Sequence, residues 1–130
     1  MSDIETFEIA EGTTPDYVVT LYAKAIGDAD PLPIPGSVLD SLTLTYYQEY
    51  SEEIINNRSL QNVLQINNVT VDENGLLTWT LQQADSVILD DSLGKEPHMA
   101  RFDFTYPGAN GTEQSRHLVR LLVKNFRVTP

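Results

Sequence analysis

The sequence predicts an all-β protein, an antiparallel β-sandwich of about seven strands with one or two short helical turns. Apolar and polar residues alternate with a period of two through most of the chain. Turn-forming residues lie between these segments, and no helical segment alternates with them. Short strands joined by hairpins at spacings of about 8 to 12 residues are typical of two packed antiparallel sheets.

The length and composition indicate one globular domain. The chain has 130 residues, a formal charge of −11 and no cysteine. We divide it into an N-terminal arm or edge strand over residues 1–16 and a single β-sandwich domain over residues 17–130. The absence of cysteine excludes disulfides, thiolate nucleophiles and cysteine-based metal sites.

Five segments show the strand alternation most clearly. In residues 17–26, Tyr17, Val19 and Leu21 predict one buried side of a strand. The same pattern predicts strands over residues 38–48, 76–81, 99–106 and 115–128. Trp79 fits the buried centre of the sandwich.

Turn chemistry predicts how these strands connect. Asn74 and Gly75 tolerate positive φ and predict a tight hairpin between residues 69–71 and 76–81. We expect a longer tip over residues 107–114. Three further predictions are an extended proline-rich connection over residues 28–36, a helix over residues 59–66 and a single helical turn within residues 82–89.

Charge is distributed unevenly along the chain. Residues 1–57 hold eleven acids and one base, residues 58–115 hold eight acids and three bases, and residues 116–130 hold four bases and no acid. These four bases form a stripe on the last strand, either paired with local acids or in contact with an acidic neighbour, such as another copy's N-terminal half. They are Arg116, Arg120, Lys124 and Arg127. The overall negative charge disfavours binding to nucleic acid or to anionic membrane surfaces.

The candidate chemical sites are weak. A hairpin could bring His98 and His117 close, but two histidines without a third ligand make a poor metal site, so we expect structural or exposed histidines. The acidic loops make a calcium site conceivable, but they lack the spacing of a dedicated calcium loop. These loops contain Asp28, Asp30, Asp40, Glu52, Glu53, Asp90 and Asp91. We predict no enzyme activity and no cofactor, because no nucleophile, base and orienting group can be placed together.

Two groups of residues are candidates for binding a partner. Residues 2–12 carry Ile4, Phe7 and Ile9 and could pair as an edge strand with the chain's own sheet or with a neighbour. Tyr47 and Tyr50 would suit a partner surface or sugar stacking if they are exposed, whereas ordinary cross-strand packing is the alternative.

The turn and core residues of this chain resemble those of small virion-associated proteins of tailed bacteriophages. The residues that carry the resemblance are 41–47, 54–58, 61–64, 69–81, 84–85, 98–106 and 116–120. This group has an immunoglobulin-like β-sandwich and is similar in pattern to the N-terminal modules of phage baseplate proteins. The resemblance covers residues 17–128, and it carries over no catalytic residue.

The resemblance implies a structural protein of a phage particle, made in the host cytoplasm and located in the virion. The expected role is a capsid decoration or a head–tail (neck) accessory subunit. Its expected partners are other capsid, neck or tail proteins and, in a homo-oligomer, further copies of itself. The alternative is a carbohydrate-binding or adhesion module of a phage tail. We expect no membrane span, since no apolar segment approaches the required length of about 20 residues.

Overall fold

The computed structural model describes residues 4–23, 31–90, 94–108 and 111–125. These residues form eight strands and two single 3₁₀ turns, the turns being Gly36–Val38 and Gln83–Asp85. The strands are β1 (Glu5–Ala10), β2 (Asp16–Thr20), β3 (Ser41–Gln48), β4 (Gln61–Asn62), β5 (Val69–Val71), β6 (Leu76–Thr80), β7 (Lys95–Gly108) and β8 (Gly111–Lys124).

The strands form two sheets, which confirms the predicted all-β sandwich. One sheet has five strands in the order β1-β8-β7-β3-β4, and the other has three in the order β2-β6-β5. All described strand pairs are antiparallel except β1 and β8, which are parallel. Apart from β1, this is the order of strands G-F-C-C′ and B-E-D in immunoglobulin-type sandwiches. The structure has one strand more than the predicted seven, and the additional strand is the two-residue β4.

The core lies between the sheets and is formed by the alternate residues that the sequence predicts. Leu42, Leu44 and Tyr46 on β3 are fully buried, as is Phe102 on β7. Trp79 on β6 is also fully buried, and its ring meets Tyr46 and Phe102 edge-on at centroid distances of 5.2 and 5.7 Å. Trp79 therefore occupies the predicted centre of the sandwich.

The hairpin between β5 and β6 has the predicted turn. The Asp72 side chain accepts hydrogen bonds from the backbone N–H groups of Asn74 and Leu76, and Gly75 has a φ of 79°. A Cβ atom at Gly75 would lie 3.0 Å from the backbone of Ile34, in the proline-rich segment. Both the backbone angle and this close approach favour glycine.

The hairpin between β7 and β8 is longer than predicted. The two strands pair from Lys95 opposite Lys124 to Gly108 opposite Gly111, so the predicted tip over residues 107–114 is wrong. β3 pairs with β7 only as far as Thr105. Pro107 therefore lies where one side of β7 has no partner strand, and a strand tolerates proline there.

The predicted helix over residues 59–66 is also wrong. Leu60 is exposed and Val63 is fully buried, so these apolar residues do not share one helical face. Leu60 and Gln65 have positive φ, which interrupts a right-handed helix. The predicted single turn within residues 82–89 is confirmed as the 3₁₀ turn Gln83–Asp85.

Candidate functional site

The side of the five-stranded sheet that faces away from the three-stranded sheet is the candidate site, and we call it the outer face. Alternation along β3, β7 and β8 places every second side chain on it. Its residues include Thr43, Thr45 and Tyr47 on β3, Met99, Arg101 and Asp103 on β7, and Arg116, Leu118, Arg120, Leu122 and Lys124 on β8.

The middle of the outer face is apolar. Met99 lies between Tyr47 on β3 and Arg120 on β8, and only 7% of its surface is exposed. Leu118 and Leu122 flank Arg120 along β8 and are half-buried, as is Tyr47. Met99, Leu118, Leu122 and Tyr47 therefore form an apolar centre on a solvent-facing side of the sandwich.

Ion pairs lie within and beside this apolar centre. Arg120 donates two hydrogen bonds to the Glu49 carboxylate, at 2.7 and 3.1 Å, and these bonds raise the pKa of Arg120. Asp103 accepts from Arg101 at 2.9 Å and from Arg116 at 2.6 Å. Pairs this exposed contribute about 0–1 kcal/mol each to stability.

A third ion-pair group lies at the end of the outer face. Lys95 and Lys124 approach the Glu8 carboxylate at 3.3 and 3.5 Å, and they lower the pKa of Glu8. Three bases of the predicted stripe, Arg116, Arg120 and Lys124, thus each pair with an acid of the same chain. The fourth, Arg127, lies outside the described residues.

The outer face differs in charge from the rest of the described surface. It carries five of the six bases that the structure describes, Lys95, Arg101, Arg116, Arg120 and Lys124, against four acids, Glu8, Glu49, Glu52 and Asp103. Its net charge is therefore +1. The remaining described surface carries nine acids and no base, because the sixth base, Arg58, is buried.

Two shallow depressions lie on the outer face. One, of about 230 Å³, is lined by Thr45, Tyr47, Glu52, Ile54 and Arg101. Tyr50 lies in the adjoining turn, with 73% of its surface exposed. The other depression, of about 260 Å³, lies near the paired Asp103 and Arg116. Tyr47 is therefore partly accessible in the apolar centre and Tyr50 is exposed in the turn after β3, while Tyr46 points into the core.

The N-terminal segment pairs with the chain's own sheet, one of the two alternatives left open by the sequence. β1 runs parallel to β8, with Phe7 opposite Leu121 and Ile9 opposite Val123. Ile9 is buried, and the ring of Phe7 packs against Tyr17 at 5.5 Å. Ile4 is half-buried. The side chains of Phe7 and Ile9 therefore contribute to the core.

A replacement of both inward side chains of β1 tests this packing. We expect the double variant Phe7→Ala/Ile9→Ala to lower the free energy of unfolding by about 3 kcal/mol, because the buried Ile9 side chain and the half-buried Phe7 ring are lost. Urea unfolding followed by tryptophan fluorescence measures the change. The control is Thr6→Ala/Glu8→Ala on the outward side of β1, which should cost about 1 kcal/mol or less. Equal losses in the two variants would contradict the assigned register.

A polar cluster joins β1 to both sheets. The Tyr17 hydroxyl donates to the Glu5 carboxylate at 2.7 Å and lies 2.7 Å from Nε2 of His117. Burial and the Glu5 carboxylate raise the pKa of Tyr17 far above its usual value, and burial lowers the pKa of His117. Tyr17 thus stays protonated and holds the first strand in place.

A second, larger polar cluster is buried beside Trp79, where Arg58 and Tyr46 contact the Trp79 ring. Arg58 donates to both carboxylate oxygens of Asp85, at 2.7 and 3.0 Å, and both side chains are almost fully buried. The Tyr46 hydroxyl donates to the Asp85 backbone carbonyl and lies 3.0 Å from Nδ1 of His98. Nε2 of His98 lies 2.5 Å from the Glu96 carboxylate. Sequence reasoning assigned no role to Arg58 or Asp85, because nothing in their local pattern distinguishes them from surface residues.

The two histidines are not brought together. His98 lies opposite Leu121, whereas His117 lies opposite Phe102, four positions further along β7. At about 3.3 Å per residue this offset is roughly 13 Å along the strand. His98 is fully buried and His117 is half-buried, so each belongs to a separate polar cluster.

The free energy of unfolding is expected to fall as the pH drops below about 6.5, the usual pKa of an unfolded-state histidine. Burial lowers the pKa of His98 and of His117 in the folded chain. The unfolded state therefore binds more protons in acid, and each histidine contributes a slope of up to about 1.4 kcal/mol per pH unit. Burial raises the pKa of Glu96, but hydrogen bonds from His98 and from backbone N–H groups outweigh it and hold that pKa below its usual range. Glu96 therefore extends the loss to lower pH.

Urea unfolding at a series of pH values measures this dependence. His117→Gln should give a shallower decline between pH 7 and pH 5, since it removes one of the two titrating imidazoles. If the free energy of unfolding of the unmodified chain stays constant or rises as the pH falls from 7 to 5, the lowered pKa values of His98 and His117 are contradicted.

The described residues bear on two other kinds of site, a metal centre and a membrane-spanning helix. Within them, no group of three or more histidine, aspartate or glutamate side chains is placed to hold a metal ion. No helix in the described part of the chain is long and apolar enough to cross a membrane. Of the acids considered for calcium, Asp28, Asp30 and Asp91 lie outside the described residues.

Fold and site together define an immunoglobulin-type β-sandwich with an open, charge-bordered sheet face. No protein-family model matches the chain, and no curated protein is significantly similar to it.

Proposed function

We propose that this chain is a structural protein of a tailed-bacteriophage particle, a capsid-decoration or head–tail (neck) accessory subunit that binds other particle proteins. The proposal rests on the resemblance of its turn and core residues to virion-associated sandwiches. The observation that carries it is the apolar centre of the outer face, formed by Met99, Leu118, Leu122 and Tyr47 and bordered by ion pairs.

Such a surface suits protein binding. Protein interfaces combine an apolar centre with a polar rim, and aromatic residues, methionine and arginine are enriched in them. The Arg116–Asp103 pair lies beside the apolar centre, and Arg116 is exposed enough to exchange its partner at little cost. A stable contact needs about 1,000 Å² of buried surface, although repeated attachment to a symmetric particle relaxes that requirement.

A substitution at the apolar centre tests the proposal. Leu118 lies opposite Arg101 and between Arg116 and Arg120 on β8, so Leu118→Glu gains local ion pairs while placing a charge in the proposed contact. We expect Leu118→Glu to fold and to be incorporated into particles at least about tenfold less than the unmodified chain, a change of about 1.4 kcal/mol in binding. Mass spectrometry of purified particles measures incorporation.

The matched control is Ile66→Glu, which places the same charge at an exposed apolar residue in the loop between β4 and β5. This variant should be incorporated like the unmodified chain. Equal incorporation of the Leu118 variant would remove the outer face from the contact, and absence of the unmodified chain from the particle would overturn the proposed role.

The second candidate function is a carbohydrate-binding or adhesion module of a phage tail. The observation that favours it is the exposed Tyr50 beside the depression that contains Tyr47, Glu52 and Arg101. Aromatic rings and nearby polar groups suit sugar stacking. Binding on a glycan array, with and without calcium, that is lost in Tyr47→Ala and Tyr50→Ala would favour this candidate.

A further inference from the structure

We propose that the outer face binds a second copy of this chain through the exposed side of that copy's three-stranded sheet. This inference rests on the proposed function, since it names one partner for the same surface. We call the exposed side of the three-stranded sheet the opposite face. The two faces lie on opposite sides of the sandwich, so copies would associate front to back.

The opposite face has the composition of a flat contact surface. Val18 on β2 and Leu76 on β6 lie on it, with 47% and 37% of their surfaces exposed. The other outward side chains of β2, β5 and β6 are Asp16 and the hydroxyl-bearing Thr20, Thr70, Thr78 and Thr80. Two exposed apolar side chains among short hydroxyl residues are complementary to the apolar centre of the outer face.

Charge favours this pairing over contact between two outer faces. Asp16 and Asp72 lie at the two ends of the opposite face, and no described base lies on it. The outer face carries five bases and a net charge of +1, whereas the rest of the described surface is acidic. Two outer faces in contact would bring together two surfaces that each carry a net charge of +1, whereas the opposite face carries two acids and, among the described residues, no base.

A contact between two different faces has a structural consequence. Each copy keeps one free outer face and one free opposite face, so association continues until a ring closes or an open rod forms. A contact between two outer faces would instead stop at a dimer. The two arrangements therefore predict different behaviour of face-specific variants.

Two variants, each of which alters one face, distinguish these two arrangements. Leu118→Glu places an acid on the outer face, and Val18→Lys places a base on the opposite face, two residues from Asp16. Sedimentation velocity at about 0.01 M salt, where the Debye length is about 30 Å, follows association. We expect the unmodified chain to form species larger than a dimer, and each variant alone to remain monomeric. An equimolar mixture should form a 1:1 heterodimer, because each variant keeps one intact face.

A control variant and a change in salt concentration accompany this experiment. Ile66→Glu should associate like the unmodified chain, and raising the salt concentration should weaken association. Self-association of Val18→Lys to a dimer would overturn the inference in favour of paired outer faces. If the unmodified chain stays monomeric at concentrations up to about 1 mM, the dissociation constant of any self-association is weaker than about 1 mM. That result would also overturn the inference. Incorporation of such a monomer into particles would leave the proposed function standing.

Discussion

Replacing Arg58 by methionine is expected to lower the free energy of unfolding by about 3–5 kcal/mol, since it leaves the buried Asp85 carboxylate without its cation. Asp85 is fully buried, and among the described residues it retains only the Asn56 amide and the Gln82 backbone N–H as donors. A domain of this kind has a total stability of about 5–15 kcal/mol. The variant should therefore unfold at a much lower urea concentration.

The expected loss of stability also includes the contacts that Arg58 makes with residues around it. Its guanidinium donates to Gln61 at 2.6 Å and to the Asn67 carbonyl at 3.4 Å, and it lies 5.5 Å from the centre of the Trp79 ring. The matched control is Arg58→Met/Asp85→Asn, which removes the unpaired charge and should recover part of the lost stability. A loss below about 1 kcal/mol in Arg58→Met, typical of a surface ion pair, would show that the pair is not buried.

Replacing Trp79 by alanine is expected to cost about 3–5 kcal/mol, because it leaves a large cavity between the two sheets. Trp79 contacts the rings of Tyr46 and Phe102 and has no exposed surface. Thermal unfolding followed by circular dichroism measures the change, since this variant lacks the only tryptophan of the chain.

Trp79→Phe is the control for this prediction. The Trp79 indole N–H is buried and has no acceptor among the described residues. Phenylalanine removes this unpaired donor, whose burial costs about 1–3 kcal/mol, while keeping an aromatic ring in place. Trp79→Phe should therefore be much less destabilised than Trp79→Ala. Equal losses would show that the indole N–H has a partner or that the ring packs loosely.

The strands and the core were predictable because the alternation of apolar and polar residues can be read within each strand alone. A period of two assigns alternate residues to one side without knowledge of the neighbouring strand, and it correctly placed Leu42, Leu44, Tyr46 and Trp79 inside. The tight turn at Asn74 and Gly75 was likewise predictable from two adjacent residues. Pairing of β1 with β8 was less predictable, because an amphipathic strand fits several sheet edges equally well.

The segment between β3 and β5 was mispredicted because long-range contacts determine it. Seven described non-glycine residues between positions 52 and 68 have positive φ, four of them asparagine. Such backbone angles are unfavourable for most residues and persist only where surrounding contacts fix them. Arg58 supplies such contacts through Asp85, which lies 27 residues further along the chain, and through Asn67 within the same segment.

The candidate site was predictable only in part. Alternation along β8 puts Arg116, Arg120 and Lys124 on one side of the strand with Leu118 and Leu122 between them, and in the structure this side is the outer face. Their ion-pair partners lie on other elements of the chain, and the sequence does not indicate these pairings. The position of Met99 in the middle of the outer face depends on the register of three strands.

The central claim is that the outer face is the surface through which this chain attaches to a phage particle. Cryo-electron microscopy of intact particles tests it most directly. We predict density for the sandwich with Leu118 and Leu122 buried against another particle protein or a second copy of the chain. A reconstruction in which the sandwich is bound with this face open to solvent, or is absent, would contradict the claim.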